Sequence, residues 1–292
     1  MATTTTAKQG GAVLVVGADG LLGAAIAEAV DRDGREVVRG SRRGHAATAS
    51  LDLTIDAESW PIPSGVATTH LCAAITSIAE CRDRPDAARL VNVEGTAALT
   101  RRLVAAGSRI VFPSTNMVFD GSEPFVRHGA VPNPRTAYGR LKMEAEQRML
   151  ELGDGVCVVR LTKVLSRRVP LFEEWRRALA AGRPIHPFSD MVLAPVSLGH
   201  AVRSLVAIGD APGRGIFHVS ANADVSYAEI AGHLAAIMRA DPGLVQPRTV
   251  VETGLQTENV PRNTTLALDL AEASLGIVAP DPWQAIDESL AP

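Results

Sequence analysis

Tyr138 and Lys142 are the pair in this chain whose types and spacing best suit proton chemistry. Four residues apart on a helix, two side chains stand one turn from each other on the same face, about 6 Å between Cβ atoms. An ammonium so placed can lower the pKa of a phenol, which then gives or takes a proton near neutral pH. The composition sharpens the reading. Tyr138 is one of 2 tyrosines, and Lys142 is one of three lysines, with Lys8 and Lys163, in a chain that otherwise uses arginine as its cation. Taken alone, Tyr-x-x-x-Lys also fits an exposed helical pair, so the elements that would position it decide between the two.

Those elements begin with Ala12–Val16, a short apolar run that suits a buried parallel strand. Gly17-Ala-Asp-Gly20-Leu21-Leu22-Gly23 follows, and then an alanine-rich helix over Ala24–Val30. Strand, glycine turn and helix in that order let a pyrophosphate approach backbone N–H groups at a helix N-terminus. Gly17 and Gly20 would permit the tight turn, and Gly23 would let the helix lie near the sheet; an ordinary strand-to-helix turn is the plain alternative. The next strand, Glu36–Arg39, ends where an NAD site usually places an acidic residue for the ribose 2′-hydroxyl. Gly40 and then Ser41-Arg42-Arg43 stand there instead. Two guanidiniums suit a 2′-phosphate, so the sequence favours NADP(H) over NAD(H), against the alternative of a solvated turn.

Asp52-Leu53 follow a third strand and would bring a carboxylate near an adenine amino group. Thr68–Cys72 reads as a fourth strand, with the small Ala73-Ala74 where a backbone must approach the cofactor. Pro85–Ala106 has helical periodicity and carries Asn92. Arg109–Pro113 is a fifth strand that delivers Ser114-Thr115-Asn116 at its C-terminal end, the end at which open α/β sheets hold ligands. The Pro-Asn-Pro segment at Pro132–Pro134 punctuates the approach to the Tyr138 helix. Val156–Leu161 is a sixth strand, after which the alternation weakens. Helices are expected over Leu171–Ala181, Ser197–Ile208 (Ser197 as N-cap) and Ser226–Arg239, the last with a Ser226–Glu229 capping box. Phe188–Val196 reads as a loop or short strand and Ile216–Val219 as a brief strand; Thr265–Leu270 and Asp281–Leu290 close the chain.

The fold class is therefore α/β: a Rossmann-type, doubly wound parallel sheet with a smaller mixed α/β C-terminal substrate lobe. Residues 1–11 read as a flexible leader. Residues 12–165 read as the dinucleotide-binding domain, with later segments returning to it, and 166–292 as mostly the substrate lobe, with a substrate cleft between the two.

With 292 residues and 46% hydrophobic side chains, the chain can bury a large core. Its net charge of −3, without a basic block, argues against a nucleic-acid partner. No apolar run approaches the ~20 residues of a membrane span, and the polar start holds no signal-peptide core. Cys72, Cys81 and Cys157 lack Cys-x-x-Cys spacing and sit in or near apolar runs, which fits free buried thiols in a reducing, cytoplasmic setting. The 7 histidines form no metal-ligand pattern, so no metal is expected.

Glycine turn, Ser-Thr strand end and Tyr-x-x-x-Lys, in this order, resemble the extended short-chain dehydrogenase/reductase family. The Gly-x-x-Gly-x-x-Gly form at Gly17–Gly23 matches it. Ser114-Thr115-Asn116-Met117-Val118-Phe119-Asp120-Gly121 looks like the Ser-Thr-Asp-Tyr-Val-Phe-Asp-Gly stretch of the dTDP-4-dehydrorhamnose reductase subfamily. Gly215–Ser220 and Val225–Glu229 echo that subfamily's C-terminal lobe. The resemblance implies a catalytic set of Thr115, Tyr138 and Lys142. Tyr138 would donate a proton to a developing alkoxide, Thr115 would hydrogen-bond the same oxygen, and Lys142 would lower the tyrosine pKa and reach the nicotinamide ribose. It implies cofactor contacts at Gly17, Gly20, Leu21, Leu22 and Gly23, at Ser41, Arg42 and Arg43, and at Asp52, Leu53, Ala73, Ala74, Leu161 and Thr162.

The chain departs from the subfamily at Asn116 and Met117, which replace Asp and Tyr, and at Lys163, where a tryptophan is usual. Asn116, Met117 and Val118, with Asp190, Met191, Leu193 and Arg262 on position alone, are the candidate substrate contacts. The activity implied is NADPH-dependent reduction of a nucleotide-linked 4-keto sugar; dimerisation is common for this fold, which makes a homodimer one expectation, though nothing in the sequence identifies its surface. A sugar-nucleotide epimerase and a non-catalytic NADP-binding regulatory subunit are the other readings.

Overall fold

Strand β1 (Ala12–Val16) is buried at every position and lies inside the sheet with strands on both sides. This is why its sequence is an unbroken apolar run rather than an alternating one. In the computed structural model, which describes residues 11–43, 48–55, 57–254 and 260–291, β1 leads through the glycine turn into α1 (Leu21–Arg32). Then come β2 (Val37–Ser41), β3 (Thr48–Ser50), β4 (Val66–Leu71), α2 (Ile78–Asp83) and α3 (Pro85–Arg89). A π-helical turn at Leu90–Gly95 joins α3 to α4 (Thr96–Ala105), which is followed by β5 (Arg109–Thr115), α5 (Ala137–Leu150) and β6 (Val156–Leu161). The leader expected at 1–11 lies, apart from Gly11, outside the described residues.

The later elements are β7 (Val164–Leu165), α6 (Pro170–Ala180), β8 (Val192–Leu193), β9 (Val196–Ser197), α7 (Leu198–Asp210), β10 (Gly215–Val219), β11 (Val225–Ser226), α8 (Tyr227–Met238), α9 (Val250–Thr253), α10 (Asp269–Leu275) and α11 (Pro282–Leu290). The strands among them, apart from β10, are two residues long. The 7-stranded sheet has the order β10-β6-β5-β4-β1-β2-β3. β1 pairs in parallel with β2 and β4, β2 with β3, and β4 with β5. This is the doubly wound α/β arrangement expected from sequence, and its order reverses between β1 and β4.

The chain forms two compact units, which interleave along the sequence. Of the described residues, the first holds those within 11–114, 137–160 and 202–217, and the second those within 115–136, 161–201 and 218–291. In the first, Leu14, Leu99, Leu103, Ile110, Phe112 and Met149 belong to a core that draws on the sheet and on α4 and α5. In the second, Phe172 and Trp175 of α6 pack with Ile230 and Leu234 of α8 and Ile286 of α11. Two small pairings serve this unit, β7 with β9 in parallel and β11 with β8 antiparallel.

Several expected elements gain or lose a residue or two. The strand read as Arg109–Pro113 continues to Thr115, and the helix read as Leu171–Ala181 begins at Pro170, a proline that supplies the fixed φ of a first turn. Phe188–Val196, read as a loop or short strand, contains β8 and the start of β9. Ser197 accepts a bond from His200 N, as an N-cap should. Among the described residues no helix is long and apolar enough to cross a membrane.

Candidate functional site

The glycine turn is fixed by what a side chain would strike. Gly17 has φ +84°, and a Cβ on it would lie 2.6 Å from the backbone N of Ala73, just beyond β4. A Cβ on Gly23 would lie 2.2 Å from Gly17 O, so α1 can lie this close only without one. Gly20 is the N-cap of α1 and offers no side-chain hydrogen bond, and no acidic residue occupies the first turn. No side chain at the N-cap or acidic side chain in the first turn thus satisfies the N-terminal N–H groups, and an anion could be received there. Leu21 is exposed and Leu22 half-buried at the same turn.

At the end of β2, Ser41 is buried and its Oγ accepts from Arg43 N at 3.2 Å, while Arg42 and Arg43 are exposed. Arg43 Nε stands 3.5 Å from the carboxylate of Asp19 in the glycine turn. Asp52 accepts from the N and Oγ1 of Thr54 at 2.9 and 2.7 Å. That backbone bond is the first cause of a carboxyl held below its ordinary range. Leu53 is buried, and its carbonyl approaches Gly95 so closely that a Cβ there would meet it at 2.1 Å. Asn92, on the π-helical turn, clamps the loop after β4: Ile75 N donates to its Oδ1 at 2.7 Å, and its Nδ2 donates to Ile75 O at 2.8 Å. The half-buried Ala73 and Ala74 lie in that loop. These features fit a dinucleotide: a tight turn whose Gly17 and Gly23 admit no Cβ, an uncapped helix start, and two exposed guanidiniums at the strand end.

Tyr138 and Lys142 do share a face of α5, but not as an exposed pair. Lys142 is 2% exposed; its Nζ donates to Pro113 O at 2.6 Å and sits 3.7 Å from the centroid of the Phe112 ring. Burial pulls this ammonium down to about 7, with Glu146 and Cys72 opposing the shift. Tyr138 is half-buried, and its phenol is held above the ordinary tyrosine range, by burial first and the Cys81 thiol second. The lowered phenol expected from the i, i+4 lysine is therefore overturned: burial raises the phenol, and the lysine, itself pulled down to about 7, is only partly charged at neutral pH. Tyr138 enters neutral solution as an acid with its proton in place.

Below Lys142 on the same helix lies a cluster that sequence reading missed. Glu146 is 2% exposed and accepts from Arg160 of β6, 1% exposed, through Nε at 3.2 Å to each oxygen and Nη2 at 2.7 Å. Ser114 Oγ donates to the same carboxylate. The signal available was Arg160 inside an otherwise apolar strand, since a fully buried arginine demands a carboxylate.

In the second unit, Thr115 is buried and its Oγ1 accepts from Met117 N at 3.2 Å, capping a short 3-10 turn over Asn116–Val118. Asn116 and Met117 line a cavity of about 40 Å³ with Phe119, Asn263 and Thr264, room for a water or two. The other substrate candidates have structural employment. Val118 is fully buried and Leu193 lies in the core, paired with Val225. Asp190 accepts from Val250 N at 3.0 Å, at the start of α9. Met191 O accepts from Tyr227 N, and Arg262 is exposed with its N–H on Gly121 O. Leu161 and Thr162 are buried, and Thr162 Oγ1 has no hydrogen-bond partner among the described residues. Lys163 is exposed.

A family model, the RmlD substrate binding domain, matches residues 11–292. The chain is 27% identical over 282 residues to a probable low-salt glycan biosynthesis reductase, Agl14, of Haloferax volcanii, covering 91% of this chain and 93% of that protein. It is 31% identical over 253 residues to a dTDP-4-dehydrorhamnose reductase of Streptomyces griseus, covering 81% and 79%. A solved structure of dTDP-4-dehydrorhamnose reductase from Bacillus anthracis, in complex with NADP, shares the fold. Its TM-score is 0.82 at 19% identity, covering 96% of this chain and 98% of that one.

Proposed function

The chain belongs to the RmlD substrate binding domain family, and on that premise we propose that it reduces the keto group of a nucleotide-linked 4-keto sugar with NADPH. As the motifs implied, it is an extended short-chain dehydrogenase/reductase, an NAD(P)-dependent oxidoreductase. The reduction named for the Streptomyces griseus relative supports the substrate class. Asn116, Met117 and Lys163 depart from that subfamily's pattern, so the proposal stops at the class and does not name the sugar.

A bound reduced nicotinamide supplies the hydride. The chain's own part is to hold the proton and the oxygen that receives it. Tyr138, kept protonated by burial, donates to the alkoxide that forms at the reduced carbon. Thr115 hydrogen-bonds the same oxygen, and Lys142 holds a cation or a donor one helical turn from the phenol. Gly17, Gly20 and Gly23 would admit the pyrophosphate to the start of α1, and Arg42 and Arg43 would take a 2′-phosphate.

The observation that carries the reading is Lys142. A lysine this buried, tied to a carbonyl of the strand that ends at Thr115 and one turn from a half-buried tyrosine, has no packing reason to be a lysine. Tyr138→Phe should lower turnover by about 10²–10⁴-fold while NADPH binding, read by fluorescence titration, stays as in the parent chain. Undiminished turnover would remove Tyr138 from the mechanism. Parallel titration with NADH should give the weaker binding, and equal activity with both cofactors would sink the NADP preference.

A further inference from the structure

On an isolated helix, Glu146 would be the natural partner of Lys142, four residues before it. In this fold it is taken. Both carboxylate oxygens accept from Arg160, and one also accepts from Ser114. Lys142 is left with a backbone carbonyl and the face of Phe112. Of two buried cations near one buried carboxylate, the guanidinium, with its rigid fork, holds it.

We propose that Arg160 and Ser114 are positioning residues for Lys142: by occupying Glu146 they deny the lysine an ion pair and so set how readily it gives up its proton. The inference rests on the reading in which Lys142 serves the reaction, and it deepens that reading by assigning roles to residues that touch neither substrate nor cofactor in it. The other titratable groups around the lysine do not compete for this role. Cys72, at the end of β4, has its thiol pushed up to about 12 by burial, and Tyr138 on α5 is held up by burial as well. Both therefore keep their protons in the range to which burial pulls Lys142, down to about 7. Glu146 on α5, ion-paired to Arg160 on β6, is the remaining group that acts on the lysine.

The composition makes the test direct. With three lysines in the chain, protein carrying 13C at lysine Cε gives few enough signals to follow Lys142 by NMR through a pH titration, with Lys8→Arg and Lys163→Arg for assignment. Arg160→Met should release Glu146 to the lysine and raise its proton affinity by about tenfold or more, the effect of an opposite charge brought within reach. Adding Glu146→Gln to that variant should abolish the rise, because the carboxylate is its source. Ser114→Ala, which leaves the ion pair whole, should produce a smaller rise and carries the test if the Arg160 variant does not fold. A Lys142 midpoint that stays put or falls in the folded variants overturns the proposal. The titration is read on the free protein, so its outcome is separate from that of Tyr138→Phe. A shifted midpoint with an active Tyr138→Phe would leave the tuning intact and the catalytic reading broken.

Discussion

Helices α1 and α8 are both 12 residues long and both follow a strand, yet they begin in opposite ways. At α8, Ser226 and Glu229 form a complete capping box: Ser226 Oγ accepts from Glu229 N, and Glu229 Oε2 accepts from Ser226 N at 2.7 Å. At α1, the N-cap is a glycine with nothing to offer, and no carboxylate stands in the first turn. Every helix start leaves N–H groups that must be satisfied. One helix satisfies them from its own sequence and is sealed. The other leaves them open, and only an open start can receive a phosphate.

Three substitutions would break or sharpen that contrast. The largest effect is expected at Gly23→Ala, whose Cβ would be driven into Gly17 O, a backbone atom that cannot swing aside. Overpacking of this kind costs about 1–3 kcal/mol or more, and NADPH binding should fall below detection; a stable variant that still binds would mean the turn is not the site. Gly20→Asp comes next. The backbone there is extended and a Cβ has only an ordinary contact, at 3.4 Å, so the residue is accommodated. Its carboxylate should cap α1, adding a few tenths of a kcal/mol in chemical denaturation, while weakening NADPH by about tenfold or more through repulsion and occupation of the N–H groups. Unchanged affinity would show that no anion sits at this helix. The smallest is Ser226→Ala, which should cost about 1 kcal/mol of stability and leave NADPH binding untouched. A loss of affinity there would erase the distinction between the two helices.

The same contrast shows what was legible in the sequence. The glycine turn and the Ser226–Glu229 box are local patterns, and both could be read before any fold was known. The strands carrying the switch point were legible for the same reason, as short apolar runs between glycines and helices. What escaped depends on partners distant in the chain. Pro85–Ala106 reads as one helix, but Leu53 O approaches Gly95 at the π-helical turn, and that contact belongs to the tertiary fold. The sign of the Tyr138 shift was misread because spacing reports the lysine and says nothing of burial. Glu146 and Arg160 meet only when α5 lies against β6. The substrate candidates chosen by position fared least well in finding open surface, since Leu193 fills the core and Asp190 binds the backbone of α9.

The direct measurement is NADPH oxidation, followed by the absorbance of the reduced nicotinamide, with a panel of dTDP-, UDP- and GDP-linked 4-keto sugars. The account predicts stoichiometric oxidation with at least one of them. Tight NADPH binding with no oxidation across the panel, or conversion of a sugar with no net loss of NADPH, would contradict it.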